Sequence, residues 1–146
     1  MDQNLLGTSS EPVTVPVEAG QLKFFAKATG ETNPVYFDDD AAMAAGHPAL
    51  PAPPTFCFTL NLARKDPFAF YTGLGLDLGR ILHAEEEFEY VAPVYAGDTI
   101  TIFETLVDMF AKKGGALEFY VFEGIAINQR DEIVVKLKNT IVHRNG

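Results

Sequence analysis

The spacing of apolar residues changes along this chain from a helical period to an alternating one. Between Glu18 and Ala28, the apolar positions Leu22, Phe25 and Ala26 recur at helical spacing. Gly30 follows directly and is placed to end the helix, because glycine readily adopts the left-handed conformation found after helix ends. The pattern therefore predicts a first helix over residues 18–28.

Two further helices are predicted before the alternating half begins. Asp38 or Asp39 can cap a short helix that runs through Ala45. A loop with four prolines follows at residues 47–54. The next segment, Thr55–Ala63, is apolar on nearly all sides, which is the pattern of a buried helix.

The second half of the chain alternates between apolar and polar residues, as strands do, with turn signals between the runs. An additional extended segment, Thr14–Val17, lies near the N-terminus. The sequence thus predicts an α+β fold in which an antiparallel meander wraps around the helix of residues 55–63. We expect residues 1–12 to be a flexible N-terminus and residues 13–146 to be a single domain. The four long predicted strands are Ile81–Val91, Thr99–Met109, Leu117–Ile127 and Ile133–His143.

The composition restricts the classes of protein to which this chain can belong. Of the 146 residues, 47% are hydrophobic and 21% charged, which is globular usage, and the net charge of −9 disfavours nucleic acid. The single cysteine, Cys57, excludes an intramolecular disulfide and a zinc site of paired cysteines; no metal or other cofactor is predicted. The chain has no apolar run long enough to span a membrane and no signal-peptide pattern at residues 1–11, so we expect a cytoplasmic protein.

The loop after the first helix carries the candidate chemistry. Residues 30–36 read Gly-Glu-Thr-Asn-Pro-Val-Tyr, which brings the carboxylate of Glu31, the amide of Asn33 and the phenol of Tyr36 around a proline. Three other segments accompany it. They are Ala-Pro-Pro-Thr-Phe at residues 52–56, Leu-His-Ala-Glu at residues 82–85 and Pro-Val-Tyr-Ala-Gly-Asp at residues 93–98.

Together these segments resemble the MaoC-like (R)-specific enoyl hydratases and 3-hydroxyacyl dehydratases, and in particular their N-terminal, FAS1-like subgroup. The resemblance covers residues 13–144 and implies a hot dog fold. It further implies an enoyl or (R)-3-hydroxyacyl thioester of coenzyme A or acyl carrier protein as ligand. It implies a homodimer, or a heterodimer with a second hot dog subunit. Asn33, Pro54, Thr55, Phe56 and His83 are the substrate-binding positions that it suggests.

The same comparison shows three departures from the family motif Gly-Asp-x-Asn-Pro-x-His. Glu31 stands at the aspartate position and keeps a carboxylate on a side chain longer by one methylene. Tyr36 stands at the histidine position, and a phenol with an ordinary pKa of about 10 is a poor base near neutral pH. Pro54 stands where the family has a glycine N–H that polarises the thioester, and proline has no N–H.

Three functions remain open at this point. The chain is a degenerate, acyl-binding subunit beside a catalytic partner, which is the interpretation we favour. Alternatively it is a self-sufficient hydro-lyase in which Glu31 is the base, Tyr36 the donor and the amide of Thr55 or Phe56 the oxyanion donor. A hot dog thioesterase is the third possibility, although the helix of residues 55–63 lacks the carboxylate that such enzymes usually carry.

Overall fold

The computed structural model describes residues 1–146 and contains three α-helices, five β-strands and five short 3-10 segments. The helices are α1 (Ala19–Ala28), α2 (Asp39–Ala44) and α3 (Ala69–Gly73). The strands are β1 (Val13–Pro16), β2 (Ile81–Tyr90), β3 (Thr99–Lys112), β4 (Leu117–Ile127) and β5 (Ile133–Arg144). The 3-10 segments are Gln3–Leu5, Pro34–Tyr36, Phe56–Ala63, Leu78–Arg80 and Lys113–Gly115. No helix has the length and apolar character needed to cross a membrane.

The five strands form one antiparallel sheet in the order β1-β3-β4-β5-β2. The predicted meander is present for β3, β4 and β5, but β2 pairs with β5 instead of with its sequence neighbour β3. The connection between β2 and β3 crosses the end of the sheet, where it is held by hydrogen bonds from Ala52 N to Val94 O (2.7 Å) and from Ala96 N to Leu50 O (2.9 Å). This crossing leaves the outer edge of β2 without a partner strand.

One face of the sheet is covered by the helices and carries the core. Leu22 of α1 and Leu60 of the Phe56–Ala63 segment are almost completely buried against it. A second buried cluster lies under α3, around Leu106 and Phe122. The opposite face carries charged pairs between strands, such as Lys136 Nζ with Glu89 Oε1 at 3.0 Å.

Residues 1–12, for which the sequence predicted a flexible N-terminus, are hydrogen-bonded to the edge of the sheet. The N–H groups of Gly7 and Ser10 donate to carbonyl oxygens of β3, each at 2.8 Å. The Arg64 guanidinium binds the carbonyl of Glu11 and also the Ser10 hydroxyl, the latter at 3.1 Å. The sequence did not indicate this pairing, because the segment has polar side chains and its attachment is made mainly by backbone groups. The segment thus continues the edge of the sheet beyond β1.

The segment Phe56–Ala63, which we call the central segment, is helical as predicted, and its helix is of the 3-10 type. The Thr59 hydroxyl donates to the Phe56 carbonyl at 2.7 Å and so competes for the acceptor of a regular α-helical bond. Burial is also less complete than predicted. Phe58 and Leu62 are 36% and 48% exposed, so one side of the central segment is open.

The asymmetry of the central segment predicts unequal costs for two leucine truncations. Leu60→Ala removes a side chain that is 2% exposed, and we expect it to lower the free energy of unfolding by about 2–5 kcal/mol. Leu62→Ala, on the open side of the same segment, is the control and should cost less than about 1 kcal/mol. Denaturant unfolding followed by circular dichroism measures both. Equal losses would contradict the assignment of Leu60 to the core.

Candidate functional site

The loop between α1 and α2 has a rigid local structure that begins at Gly30. This residue has a φ of +77°, a conformation that favours glycine, and it turns the chain out of α1. The Asn33 side chain accepts a hydrogen bond from Val35 N at 3.1 Å and thereby caps the turn Pro34–Tyr36. Asn33, a predicted substrate contact, is therefore engaged with its own backbone.

Glu31 is held by the same loop. Its Oε1 accepts hydrogen bonds from Asn33 N at 2.9 Å and from Thr32 N at 2.8 Å. These two N–H groups, that of Asn33 foremost, lower the pKa of Glu31 below its ordinary value because they stabilise the carboxylate. A carboxylate stabilised in this way is a weaker base, and no hydrogen bond connects it to Tyr36.

Tyr36 is half-buried, and its hydroxyl has no hydrogen-bond partner within this chain. It lies close enough to Tyr90 of β2 for the charges of the two groups to interact. Burial raises the pKa of Tyr90, and the negative charges that Cys57 and Tyr36 carry when ionised raise it further. The predicted acid and base are thus both in the loop, but they are not assembled into a hydrogen-bonded pair.

The entrance to the central segment provides fewer amide donors than the sequence predicted. The Phe56 N–H donates to the Pro53 carbonyl at 2.9 Å, so it is not available to a thioester oxygen. The Phe56 ring is buried edge-on against Phe25, with ring centres 5.6 Å apart. Thr55 is exposed, and Pro54 lines a shallow depression beside Tyr90.

A cavity of about 160 Å³ lies on the open side of the central segment, between it, α3 and the sheet. Its rim is apolar and accessible, since Phe58, Leu62 and Phe68 are 36–48% exposed. Its floor is buried and includes Phe122 and Ile141. A guest that enters past the rim therefore leaves water before it reaches the floor.

A wider depression of about 380 Å³ runs over β2, β3, β4 and β5, and half of its twelve lining residues are exposed, among them its five charged ones. Its carboxylates face lysines across the strands, as Glu89 faces Lys136. Exposed ion pairs of this kind are ordinary features of a solvated sheet. The enclosed cavity is the better candidate site.

Three polar side chains form a hydrogen-bonded chain in the cavity. Tyr71 Oη donates to Glu104 Oε1 at 3.0 Å, and Asn139 Nδ2 donates to Tyr71 Oη at 3.3 Å. Glu104 and Asn139 are only 5% and 7% exposed. The Asn139 Oδ1 is buried and has no hydrogen-bond partner. An unsatisfied buried carbonyl costs stability, and native proteins rarely keep one without a reason.

A second polar pair, His83 and Glu86 of β2, lies at the side of the same cavity. His83 Nε2 and Glu86 Oε2 are 3.0 Å apart, and the imidazole also packs against the Phe58 ring at 5.4 Å. Burial raises the pKa of Glu86, although the hydrogen bond to His83 opposes this effect. His83, a predicted substrate-binding residue, thus lines this cavity.

Burial also controls the electrostatics of the floor. It raises the pKa of Glu104 above its ordinary value, because the charged form loses its hydration. The hydrogen bond from Tyr71 and the charge of Arg64 oppose this effect without cancelling it. Burial and the adjacent Glu104 carboxylate likewise raise the pKa of Tyr71. Glu104 therefore takes up a proton more readily than an exposed glutamate would.

Of the predicted site residues, the structure places only His83 in the enclosed cavity. Glu31, Asn33 and Tyr36 lie in the loop, and Pro54, Thr55 and Phe56 lie at the entrance to the central segment. The polar cavity residues Glu86, Glu104 and Asn139 were not predicted. Two of them had a signal in the sequence. Glu104 interrupts the apolar positions of β3 between Ile102 and Leu106, and Asn139 interrupts those of β5 between Leu137 and Ile141.

The chain resembles known families over almost its whole length. A family model described as the FAS1-like, dehydratase domain region matches residues 4–137. The UPF0336 protein of Streptomyces griseus is 34% identical over 146 residues, which cover 99% of this chain and 95% of that protein. The UPF0336 protein of Streptomyces coelicolor is 43% identical over 108 residues, or 73% of this chain and 71% of that protein.

Solved structures confirm the predicted hot dog fold. A chain of the HadBC (3R-hydroxyacyl-ACP dehydratase) complex from Mycobacterium tuberculosis superposes with a TM-score of 0.80 at 24% identity and covers 97% of this chain and 99% of its own. A MaoC-like dehydratase gives a TM-score of 0.85 at 22% identity over 96% of this chain and 42% of its own. A chain of the ChsH1–ChsH2 complex of Mycobacterium tuberculosis gives a TM-score of 0.71 at 26% identity, over 94% of this chain and 86% of its own length.

The raised pKa of Glu104 predicts a specific pH dependence of stability. The folded protein holds this proton at pH values where the unfolded chain, with a carboxyl pKa near 4.5, has lost it. Stability from this group is therefore complete below about pH 4.5 and is lost as the pH rises through the folded-state pKa. Glu104→Gln removes the titration and keeps the acceptor for Tyr71. Its free energy of unfolding should rise relative to wild type between pH 5 and pH 8.

Denaturant unfolding at several pH values measures this difference. Glu18→Gln is the matched control, because Glu18 is exposed and its side chain makes no capping hydrogen bond. That variant should follow wild type across the same range. If the free energy of unfolding of Glu104→Gln changed with pH in the same way as that of wild type from pH 5 to pH 8, the prediction would be wrong. Glu104 would then be ionised throughout this range, with its charge stabilised by the surrounding groups.

Proposed function

Because the chain belongs to the family of FAS1-like dehydratase regions, we propose that it is an acyl-thioester-binding subunit of a MaoC-like hydratase or dehydratase. Its ligands are 2-enoyl and (R)-3-hydroxyacyl thioesters of coenzyme A or acyl carrier protein. It pairs with a second hot dog subunit that carries the intact Gly-Asp-x-Asn-Pro-x-His motif. The reaction of the assembly is the reversible addition of water to the double bond of the enoyl thioester.

The state of Glu31 is the observation that carries this proposal. Hydration needs an acid and a base within reach of one water, and a fixed donor for the enolate oxygen. Glu31 is bound to its own loop and has a lowered pKa, which weakens it as a base. Tyr36 is not bonded to it, and the Phe56 amide is already used within the chain. The residues at the motif positions support a structural loop better than a reaction centre.

The cavity supports the binding role. Its rim and much of its floor are apolar, as an alkyl chain requires, and each buried methylene contributes about 0.8 kcal/mol to affinity. In the proposed assembly this chain holds the acyl group away from water, while the partner supplies the aspartate and histidine that move the protons.

The free edge of β2 supports pairing with a second subunit. All ten residues from Ile81 to Tyr90 lie at the margin of the sheet, and an exposed edge of this length invites a further strand. Leu82 in this strand is apolar and exposed, as are Phe58 and Leu62 at the cavity rim. The HadBC and ChsH1–ChsH2 structures are complexes, which makes a hot dog partner the natural occupant.

We expect the purified chain alone not to hydrate crotonyl-CoA or octenoyl-CoA, because it lacks the acid–base pair. Co-expression with a hot dog protein that has the intact motif, encoded beside this gene, should give a stable complex with hydratase activity. Loss of the enoyl absorbance measures the reaction. In the complex, Glu31→Gln should change the rate by less than about threefold, whereas Asp→Asn in the partner's motif should abolish it.

The opposite pattern would support the self-sufficient enzyme. Hydration by the isolated chain, lost in Glu31→Gln and in Tyr36→Phe, would assign the chemistry to the loop and overturn the proposed division of labour. Circular dichroism of each variant serves as the control for folding.

Pairing through β2 predicts that Leu82→Lys weakens the assembly. Leu82 is 52% exposed in the isolated chain, so a lysine there is tolerated by the fold but places a charge at the proposed seam. Phe24→Lys on α1 is the control, because Phe24 is 75% exposed and lies on a different element. Sedimentation velocity should show less two-chain species for Leu82→Lys only. Equal behaviour of the two variants would place the interface elsewhere.

A further inference from the structure

The polar floor of the cavity is unexpected for a site that holds only a hydrocarbon chain. Glu104 and Asn139 lie among apolar side chains, and neither is needed to connect the strands, since both belong to regular antiparallel ladders. A leucine at either position would pack the same space without losing hydration. The Asn139 Oδ1 is the clearest indication that the floor serves a polar guest, because it is a buried acceptor without a hydrogen-bond partner in the chain.

The hydrogen bonds of the floor define what a guest must provide. The single hydroxyl proton of Tyr71 goes to Glu104, and the oxygen of Tyr71 accepts from the Asn139 amide. Asn139 Oδ1 remains as an acceptor, and Glu104 uses only one of its two oxygens in the hydrogen bond from Tyr71. Arg64, the cation whose charge acts on Glu104, is engaged with Ser10, the Glu11 carbonyl and Asn61. The floor is therefore rich in acceptors, and a complementary guest carries a hydrogen-bond donor.

The depth and size of the cavity indicate at which end of the guest this donor lies. The rim residues Phe58, Leu62 and Phe68 are exposed, while Phe122, Glu104 and Asn139 at the floor are buried. A chain that enters past the rim reaches the polar groups with its far end. The volume of about 160 Å³ is comparable to that of an engineered cavity of about 150 Å³ that binds benzene, so it suits a chain of about six carbon atoms.

We propose that the floor of the cavity recognises a hydroxyl group at the far end of a short acyl chain, with Asn139 Oδ1 and Glu104 as the acceptors. This inference rests on the proposed function and names the substrate class of the same chain. A neutral hydroxyl fits better than an ammonium group, because burying an ion costs far more than burying a hydroxyl.

Calorimetric titration of the protein, alone and in its co-expressed complex, tests the inference with three probes: hexanoyl-CoA, ω-hydroxyhexanoyl-CoA and ω-aminohexanoyl-CoA. The hydroxylated thioester should bind about 3- to 10-fold more tightly than the plain one, the effect of one net hydrogen bond. The aminated thioester should bind more weakly than the hydroxylated one. Because this comparison uses the wild-type protein, it does not depend on the folding of any variant.

Two variants separate the polar contact from the space around it. Asn139→Leu replaces the acceptor by an apolar group of similar size and should remove or reverse the preference for the hydroxylated thioester. Gly124→Ala is the matched control, because Gly124 lines the same cavity without a polar side chain. A Cβ at this position would lie 3.4 Å from Phe103 O and 3.5 Å from Leu137 Cβ, which are ordinary contacts. It should weaken both thioesters and leave their ratio unchanged.

The outcomes distinguish the two proposals. If hexanoyl-CoA binds as tightly as the hydroxylated thioester, or if the aminated one binds most tightly, the hydroxyl assignment is overturned while acyl-thioester binding stands. If none of the three thioesters binds to the chain or to the complex, the proposed function itself fails. A preference that survives Asn139→Leu would also overturn the assignment of the acceptor.

Discussion

The packing of one short apolar segment against a much larger curled sheet determines the rest of this structure. The central segment buries Phe56, Cys57 and Leu60 against the sheet and cannot cover all of it. Its other side, with Phe58 and Leu62, remains open, and the enclosed cavity lies there. The central segment packs in the first buried cluster, whereas the floor residues Phe122 and Ile141 belong to the second, so the cavity lies where the two clusters meet.

In the function that we propose, this constraint separates the binding of the acyl group from the chemistry. The cavity lies on the open side of the central segment, where an acyl chain can be removed from water. Glu31 and Tyr36 lie elsewhere, in the loop after α1. The loop is stabilised by hydrogen bonds from its own backbone to Glu31 and Asn33. Such bonds make a good turn, and they also occupy the carboxylate that a hydration reaction would need as a base. If the partner subunit supplies the acid and the base, this chain does not need an acid–base pair of its own.

The sequence predicted the four long strands, because alternation and turn residues are local signals, and its resemblance to the MaoC-like enzymes implied the hot dog fold. It did not predict that β2 pairs with β5, since strand order depends on a connection that crosses the sheet. It did not predict the attachment of Ser10 either, because backbone pairing leaves no trace in side-chain polarity. For the central segment the apolar pattern was right about the core, but Thr59 and the open side changed both its geometry and its exposure. The cluster of Tyr71, Glu104 and Asn139 joins three distant parts of the chain, so only the folded structure brings it together.

The position of a bound acyl chain tests this account most directly. A crystal structure of the protein, alone or with its partner, bound to a non-hydrolysable hexanoyl thioester analogue gives that position. We predict that the acyl chain lies past Phe58 and Leu62 with its end near Phe122 and Asn139. An acyl chain that bypasses this cavity and places its thioester against Glu31 and Tyr36 of the same chain would contradict the account.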